Sequence, residues 1–131
     1  MKYSVDKKEQ YSMFVLQEEK LDASIAPELK SELITMHAEG VKNMILNMEH
    51  VKYTDSSGLS ALLVGNRIYR EDGGMFVLSS LNEHVMKLIK ISQLDSVMTL
   101  LPTSEEAVDA VFMNEIERDL NNGSKKENGA E

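Results

Sequence analysis

"YTDSSGLSALL" (53–63) lies between two apolar segments, and its reading decides the fold. Before it stands "NMILNM" (43–48), a run that is apolar on both faces and suits a central strand covered on both sides. After it, from about 57 to 71, Ala61, Leu62, Val64, Gly65, Ile68 and Tyr69 fall on one wide helical face, with Leu59 and Leu63 at its edge. So broad a face predicts a helix packed closely on a sheet, with Gly65 letting the backbones approach. The stretch is therefore a junction where a strand hands over to a helix. In alternating sheets such junctions are where functional loops sit.

Working outward, "YSV" (3–5) and "SMFVLQ" (12–17) read as strands joined by the hairpin connection "DKKEQY". "MFVLSS" (75–80), after Gly73-Gly74, reads as a second central strand, and "SVMTLL" (96–101), stopped by Pro102, as a shorter one. Residues 25–38 place Ala26, Leu29, Leu33 and Met36 in one apolar stripe, with Ser24 as N-cap, Pro27 in the first turn and Gly40 at the end. Segment 82–91 carries Val85, Leu88 and Ile89. The last helix starts at "PTSEEA", where Thr103 and Glu106 make a capping box, and its pattern buries Ala107, Val108, Val111 and Phe112. The order ββαβαβαβα predicts an α/β domain with a mixed, mostly parallel sheet and flanking helices. The domain is expected over 1–118, followed by a disordered polar tail over 119–131.

The composition narrows the function. The 131 residues carry 14 Lys and Arg against 22 Asp and Glu, a net charge of −8, with no segregated basic stripe, which argues against direct nucleic-acid or anionic-lipid binding. The absence of Cys removes disulfides, thiol catalysis and thiolate zinc sites. No run is long enough for a signal peptide core or a membrane span. The expectation is an acidic cytoplasmic domain without membrane insertion, and nothing demands more than a monomer.

Little in the chain suggests catalysis. His37, His50 and His84 lie in separate elements without metal-ligand spacing, so no metal site is expected. There is no nucleophile elbow, no phosphate-binding glycine loop and no dinucleotide fingerprint, and hence no expected cofactor. The nine methionines, among them Met36, Met44, Met48 and Met75, are spread along the chain as core gap-fillers are. Glu18, Glu19 and Asp22 read as a solvated acidic loop. The D-S-S-G run itself has two readings. Asp55 or Ser56 can cap the helix that follows, while Gly58 permits a sharp bend. Equally, a serine at a helix N-terminus is open to a kinase, and a phosphate there would meet free N–H groups and the positive end of the helix dipole. Asp55 would repel that phosphate, which is switch chemistry rather than catalysis.

With that element order, three blocks in register make the chain resemble a STAS domain, the family of anti-sigma factor antagonists. They are "KLDASIAPELKSEL", "MILNMEHVKYTDSSGLSALL" and "GGMFVLSSLNEHVMKLIKISQLDSVM", and the resemblance covers roughly residues 3–116. It implies a partner switch: the unphosphorylated antagonist binds an anti-sigma factor that is also a serine kinase of the histidine-kinase-like ATPase type. Phosphorylation of the serine after the Asp, here Ser56, releases it, and a PP2C-type phosphatase restores it. The implied partner-binding residues are Asp22, Asp55, Ser56, Ser57, Gly58 and Leu59. Two positions depart from the family pattern. Glu18-Glu19-Lys20 precedes the Leu21-Asp22 pair where a glycine is common, and Ser92-Gln93-Leu94 stands where Ser-Gly-Leu is common. The first bears on the partner-facing loop, the second on local geometry. The alternative within the family is a non-switching subunit of a transporter or signalling scaffold, for which Ala, Asp or Glu at position 56 would have been expected.

Overall fold

A computed structural model of the chain describes residues 1–130, with side chains through Asn121. Most of the expected polar tail, beyond Asn121, therefore lies outside the fully described residues. The elements are β1 (Tyr3–Lys7), β2 (Ser12–Leu16), β3 (Lys20–Leu21), α1 (Ala26–Ala38), β4 (Met44–Asn47), β5 (Tyr53–Thr54), α2 (Ser56–Glu71), β6 (Phe76–Ser79), α3 (Glu83–Ile91), a single 3-10 turn (Leu94–Ser96), β7 (Thr99–Leu101) and α4 (Ser104–Ala130).

The five-stranded sheet runs β1-β2-β4-β6-β7. β1 and β2 form the antiparallel hairpin, and every later pairing in this sheet is parallel. The mixed, mostly parallel sheet expected from the sequence is thus the one observed. The two apolar faces of β4 and β6 separate by the pleat. Met44, Leu46, Phe76 and Leu78 face the core under α1 and α2, whereas Ile45 and Val77 face Ala107 and Val111 of α4. That is why these strands read as continuous apolar runs rather than alternating ones. Buried Asn43 ties the layers together: its amide donates to the Gln10 carbonyl at 2.8 Å and to Glu115 at 2.9 Å, and its side-chain oxygen accepts from the Met75 N–H at 2.8 Å.

Gly65 packs against the β6 side chain Phe76 and the α1 side chain Leu33, and a Cβ there would stand 2.9 Å and 3.0 Å from them, so the close approach read from the sequence is present. Tyr69 reaches across the same interface and donates its hydroxyl to the Leu33 carbonyl at 3.0 Å.

Several local readings change. Ser24 does not cap α1; the helix starts after Ile25, and Ser24 turns back to Asp22 instead. Val64 and Ile68 are only half-buried, while the polar Asn66 is buried in α2 and donates to the Val97 carbonyl at 3.1 Å. The last strand is three residues, because a 3-10 turn occupies its expected start. Thr103 accepts from the Glu106 N–H at 3.1 Å, as a capping residue should. Phe112, however, is 41% exposed, so the last helix does not bury it.

Candidate functional site

The D-S-S-G junction is built on a contact that strand periodicity could not reveal. β3 and β5, two residues each, pair in parallel with Lys20 opposite Tyr53 and Leu21 opposite Thr54. Thr54 donates its buried hydroxyl to the Leu21 carbonyl at 2.9 Å, and the Asp55 N–H reaches the same oxygen at 3.3 Å. This pairing brings Asp22 and Asp55, each one residue further on, to the same edge of the fold.

Asp55 then caps α2. Its backbone is extended (φ −116°, ψ −171°), and its carboxylate accepts from the Gly58 N–H at 3.0 Å. Of the two cap candidates in the sequence, the acid takes the role. Gly58 is required for packing rather than for backbone freedom. A Cβ there would collide with the Thr54 hydroxyl and the Leu21 carbonyl oxygen, and would stand 2.8 Å from Leu21 Cγ. The helix start therefore sits directly on the β3–β5 pair.

Ser56, the first residue of α2, is exposed, and Ser57 is half-buried beside it. Because the Asp55 side chain engages Gly58, the N–H groups of Ser56 and Ser57 have no cap of their own and point out of the helix end. An open groove of about 340 Å³ runs from there toward α1 and is lined by Ala26, Pro27, Lys30, Ser56, Ser57 and Ser60, among others. Lys30 is the one charged side chain along it.

Asp22 organises the neighbouring loop. Its carboxylate accepts from both the hydroxyl and the N–H of Ser24, the latter at 3.0 Å, and its carbonyl accepts from the Ala26 N–H at 2.8 Å. The hydrogen bond from the Ser24 hydroxyl, seconded by the Ser24 N–H, holds the Asp22 carboxyl below its ordinary value of 3.8.

Of the six residues named from the sequence, Asp22, Asp55, Ser56 and Ser57 reach the surface together. Gly58 and Leu59 are buried, Leu59 at 8% exposure, and shape that surface from beneath. Sequence reasoning missed Thr54, Lys30 and Ser60. It also missed the stacked pair Tyr53 and His84, whose ring centroids lie 6.1 Å apart at the border of the junction. Ser60 could have been found from its spacing, one helical turn after Ser56; the others depend on tertiary contacts. Among the described residues no group of acidic and histidine side chains could hold a metal ion, and no helix is long and apolar enough to cross a membrane.

Comparison with known proteins agrees with this architecture. The family model of the STAS domain matches residues 2–107. An anti-sigma-B factor antagonist of Staphylococcus aureus (strain NCTC 8325 / PS 47) is 31% identical over 80 residues, covering 60% of this chain and 72% of its own length. The anti-sigma-B factor antagonist of Bacillus subtilis (strain 168) is 26% identical over 88 residues, covering 67% of this chain and 80% of the relative. Among solved structures, the anti-sigma factor antagonist SpoIIAA in its unphosphorylated form superposes with a TM-score of 0.71 at 24% identity, over 84% of this chain and 96% of that one. SpoIIAA of Bacillus in the phosphorylated form superposes at 0.65 and 23% identity, over 84% and 99%. These structural likenesses speak for the fold, and the family model for descent: the chain belongs to the STAS domain family.

Proposed function

We propose that this protein is an anti-sigma factor antagonist that works in a phosphorylation-controlled partner switch, with Ser56 as the phosphoacceptor. Unphosphorylated, it binds an anti-sigma factor that is also a serine kinase of the histidine-kinase-like ATPase type. Phosphate on Ser56 releases it, and a PP2C-type phosphatase resets the cycle. The observation that carries the reading is an exposed Ser56 at the start of a helix already capped by Asp55, in a chain whose curated relatives are named anti-sigma-B factor antagonists. The description of SpoIIAA in a phosphorylated form adds support, since that protein shares the fold.

The physical chemistry is sufficient. A phosphoserine carries about −1.5 to −2 charges near pH 7. An uncompensated charge trapped in an interface costs about 3–5 kcal/mol, which is roughly a hundred- to several-thousand-fold in affinity at 1.4 kcal/mol per tenfold. The Asp55 carboxylate, held beside the phosphate by its bond to the Gly58 N–H, adds repulsion rather than relief. No rearrangement of the domain is needed. The groove between α1 and α2, together with the adjoining loop that carries Asp22, is the surface offered to the partner.

The test is capture from the native cells with tagged wild type, Ser56→Ala and Ser56→Asp. The expected result is an ATP-binding kinase recovered with wild type and Ser56→Ala and depleted at least tenfold with Ser56→Asp. The purified kinase with ATP then phosphorylates wild type but not Ser56→Ala. Equal recovery with all three variants contradicts the switch.

A further inference from the structure

α4 carries a surface that the switch does not use. Ala107 and Val111 press on the sheet, while Phe112, Met113, Ile116 and Leu120 are 41%, 57%, 54% and 66% exposed. At about 100° per residue, Met113, Ile116 and Leu120 lie within about 60° of one another on the pole opposite the core, with Phe112 at their border. The stripe is about 12 Å long at 1.5 Å per residue. At one end Phe112 meets the ring of Tyr11 edge-on at 6.2 Å, and a groove of about 250 Å³ opens there, lined by Lys8, Glu9, Gln10, Tyr11 and Phe112.

On α4 itself the charges beside the stripe are of one sign, while Lys8 and Glu9 bring one charge of each sign to the groove at its end. Glu105, Glu106, Asp109, Glu117 and Asp119 are exposed on this helix. Arg118, the one cation between residues 104 and 121, is half-buried and paired with Glu115 at 3.2 Å. An apolar strip rimmed by acids is complementary to an amphipathic helix whose apolar positions recur every three or four residues between Lys and Arg. A second copy of this chain fits poorly. A two-fold pair of α4 helices centred on Ile116 sets Glu117 of each copy beside its mate across the axis, an unrelieved like-charge contact. Anionic lipid and nucleic acid are repelled for the same reason.

We propose that the exposed stripe of α4 is a docking surface for a basic amphipathic helix of a partner protein, with the Tyr11–Phe112 groove receiving an anchoring apolar side chain. It lies on the face of the sheet opposite α1 and α2, so it is available in either state of Ser56. Four anchoring side chains make a small contact, suited to a transient association rather than a permanent one.

The experiment uses the full chain and three fluorescein-labelled synthetic peptides: a Leu/Lys amphipathic helix, a Leu/Glu helix with the same apolar positions, and a Ser/Lys peptide with the same charge. Fluorescence anisotropy is read at about 0.15 M salt, amide shifts map the contact, and sedimentation gives the oligomeric state. The expected result is saturable binding of the Leu/Lys peptide alone, with shifts at Tyr11 and residues 112–120. The double variant Ile116→Ser with Leu120→Ser, at solvent-exposed positions, weakens it by about tenfold, and Ser56→Asp leaves it unchanged. The proposal is overturned by an absence of binding, by equal binding of the Ser/Lys or Leu/Glu peptide, or by shifts confined to residues 53–60. Self-association abolished by the double variant also overturns it, since the occupant is then a second copy.

Discussion

Gly58→Ala is the most incisive change that can be made under the phosphoacceptor without touching it. A methyl group at this position meets the Thr54 hydroxyl and the Leu21 carbonyl, both of them parts of the β3–β5 pair, and stands 2.8 Å from Leu21 Cγ. Neither a strand backbone nor a hydroxyl already engaged at 2.9 Å can step aside freely. Overpacking of this kind costs about 1–3 kcal/mol, and displacing the Thr54 hydrogen bond costs about 1 kcal/mol more. Alanine's preference for helix returns up to about 1 kcal/mol. The net expectation is a loss of about 2 kcal/mol, or about 6–8 °C in Tm for a domain of this size. Urea unfolding of the wild type, Gly58→Ala, Thr54→Ala and the double variant measures it. Because Thr54→Ala removes one of the clashing atoms, Gly58→Ala should cost less in that background, with a coupling of about 0.5 kcal/mol or more. If Gly58→Ala is as stable as wild type or more so, helix propensity outweighs contact, and the α2 start does not rest on β3–β5.

Three other outcomes follow from the same geometry. Asp55→Ala should cost about 1 kcal/mol in urea unfolding by freeing the Gly58 N–H, whereas Asp55→Ser, able to cap, should cost much less. Gln93, where the family commonly has glycine, holds a left-handed backbone at φ +61°. Left-handed backbone costs an L-residue roughly 1–2 kcal/mol, partly offset by the greater freedom of an unfolded glycine, so Gln93→Gly should raise stability by about 0.5 kcal/mol. Asp22 sets a pH response with a definite sign. Its carboxyl is held below 3.8 by Ser24, so its stabilising contribution is complete above that value and lost as pH falls through the lower folded-state value. The Ser24 amide shift should be flat from pH 5 to 8 and titrate with a midpoint below 3.8.

Long, periodic features were legible in the sequence. The stripe of Ala26, Leu29, Leu33 and Met36 predicts α1, and all four residues are buried. The doubly apolar runs around Ile45 and Val77 predict central strands, and both residues are fully buried. What escaped was too short or too dependent on tertiary contact to leave a pattern. "KL" (20–21) and "YT" (53–54) are strands of two residues, below any period, yet their pairing is what joins Asp22 to Asp55. Ser24 has the chemistry of a cap, but the Asp22 carboxylate two residues earlier takes its hydroxyl and N–H. Asn66 is buried where helical spacing alone would favour Val64 and Ile68, because its amide reaches the Val97 carbonyl across the fold. Phe112 fits the apolar phase of α4 closely enough to be assigned to the core, although it lies at the edge of the outward stripe. At the site, the acid–serine order could be read directly and the cap narrowed to Asp55 or Ser56; the groove and its lysine could not be read.

Ser56 is exposed on a helix start that packs against the β3–β5 pair, and the account stands on the chemistry of that hydroxyl. The most direct measurement is mass mapping of the tryptic peptide 53–67 from protein purified from its native cells in growth and in starvation, with fragment ions separating Ser56 from Ser57 and Ser60. The account predicts a single phosphate on Ser56 whose occupancy changes between the two conditions. A peptide that is unphosphorylated at Ser56 in both conditions, or phosphorylated only at Ser57 or Ser60, contradicts it.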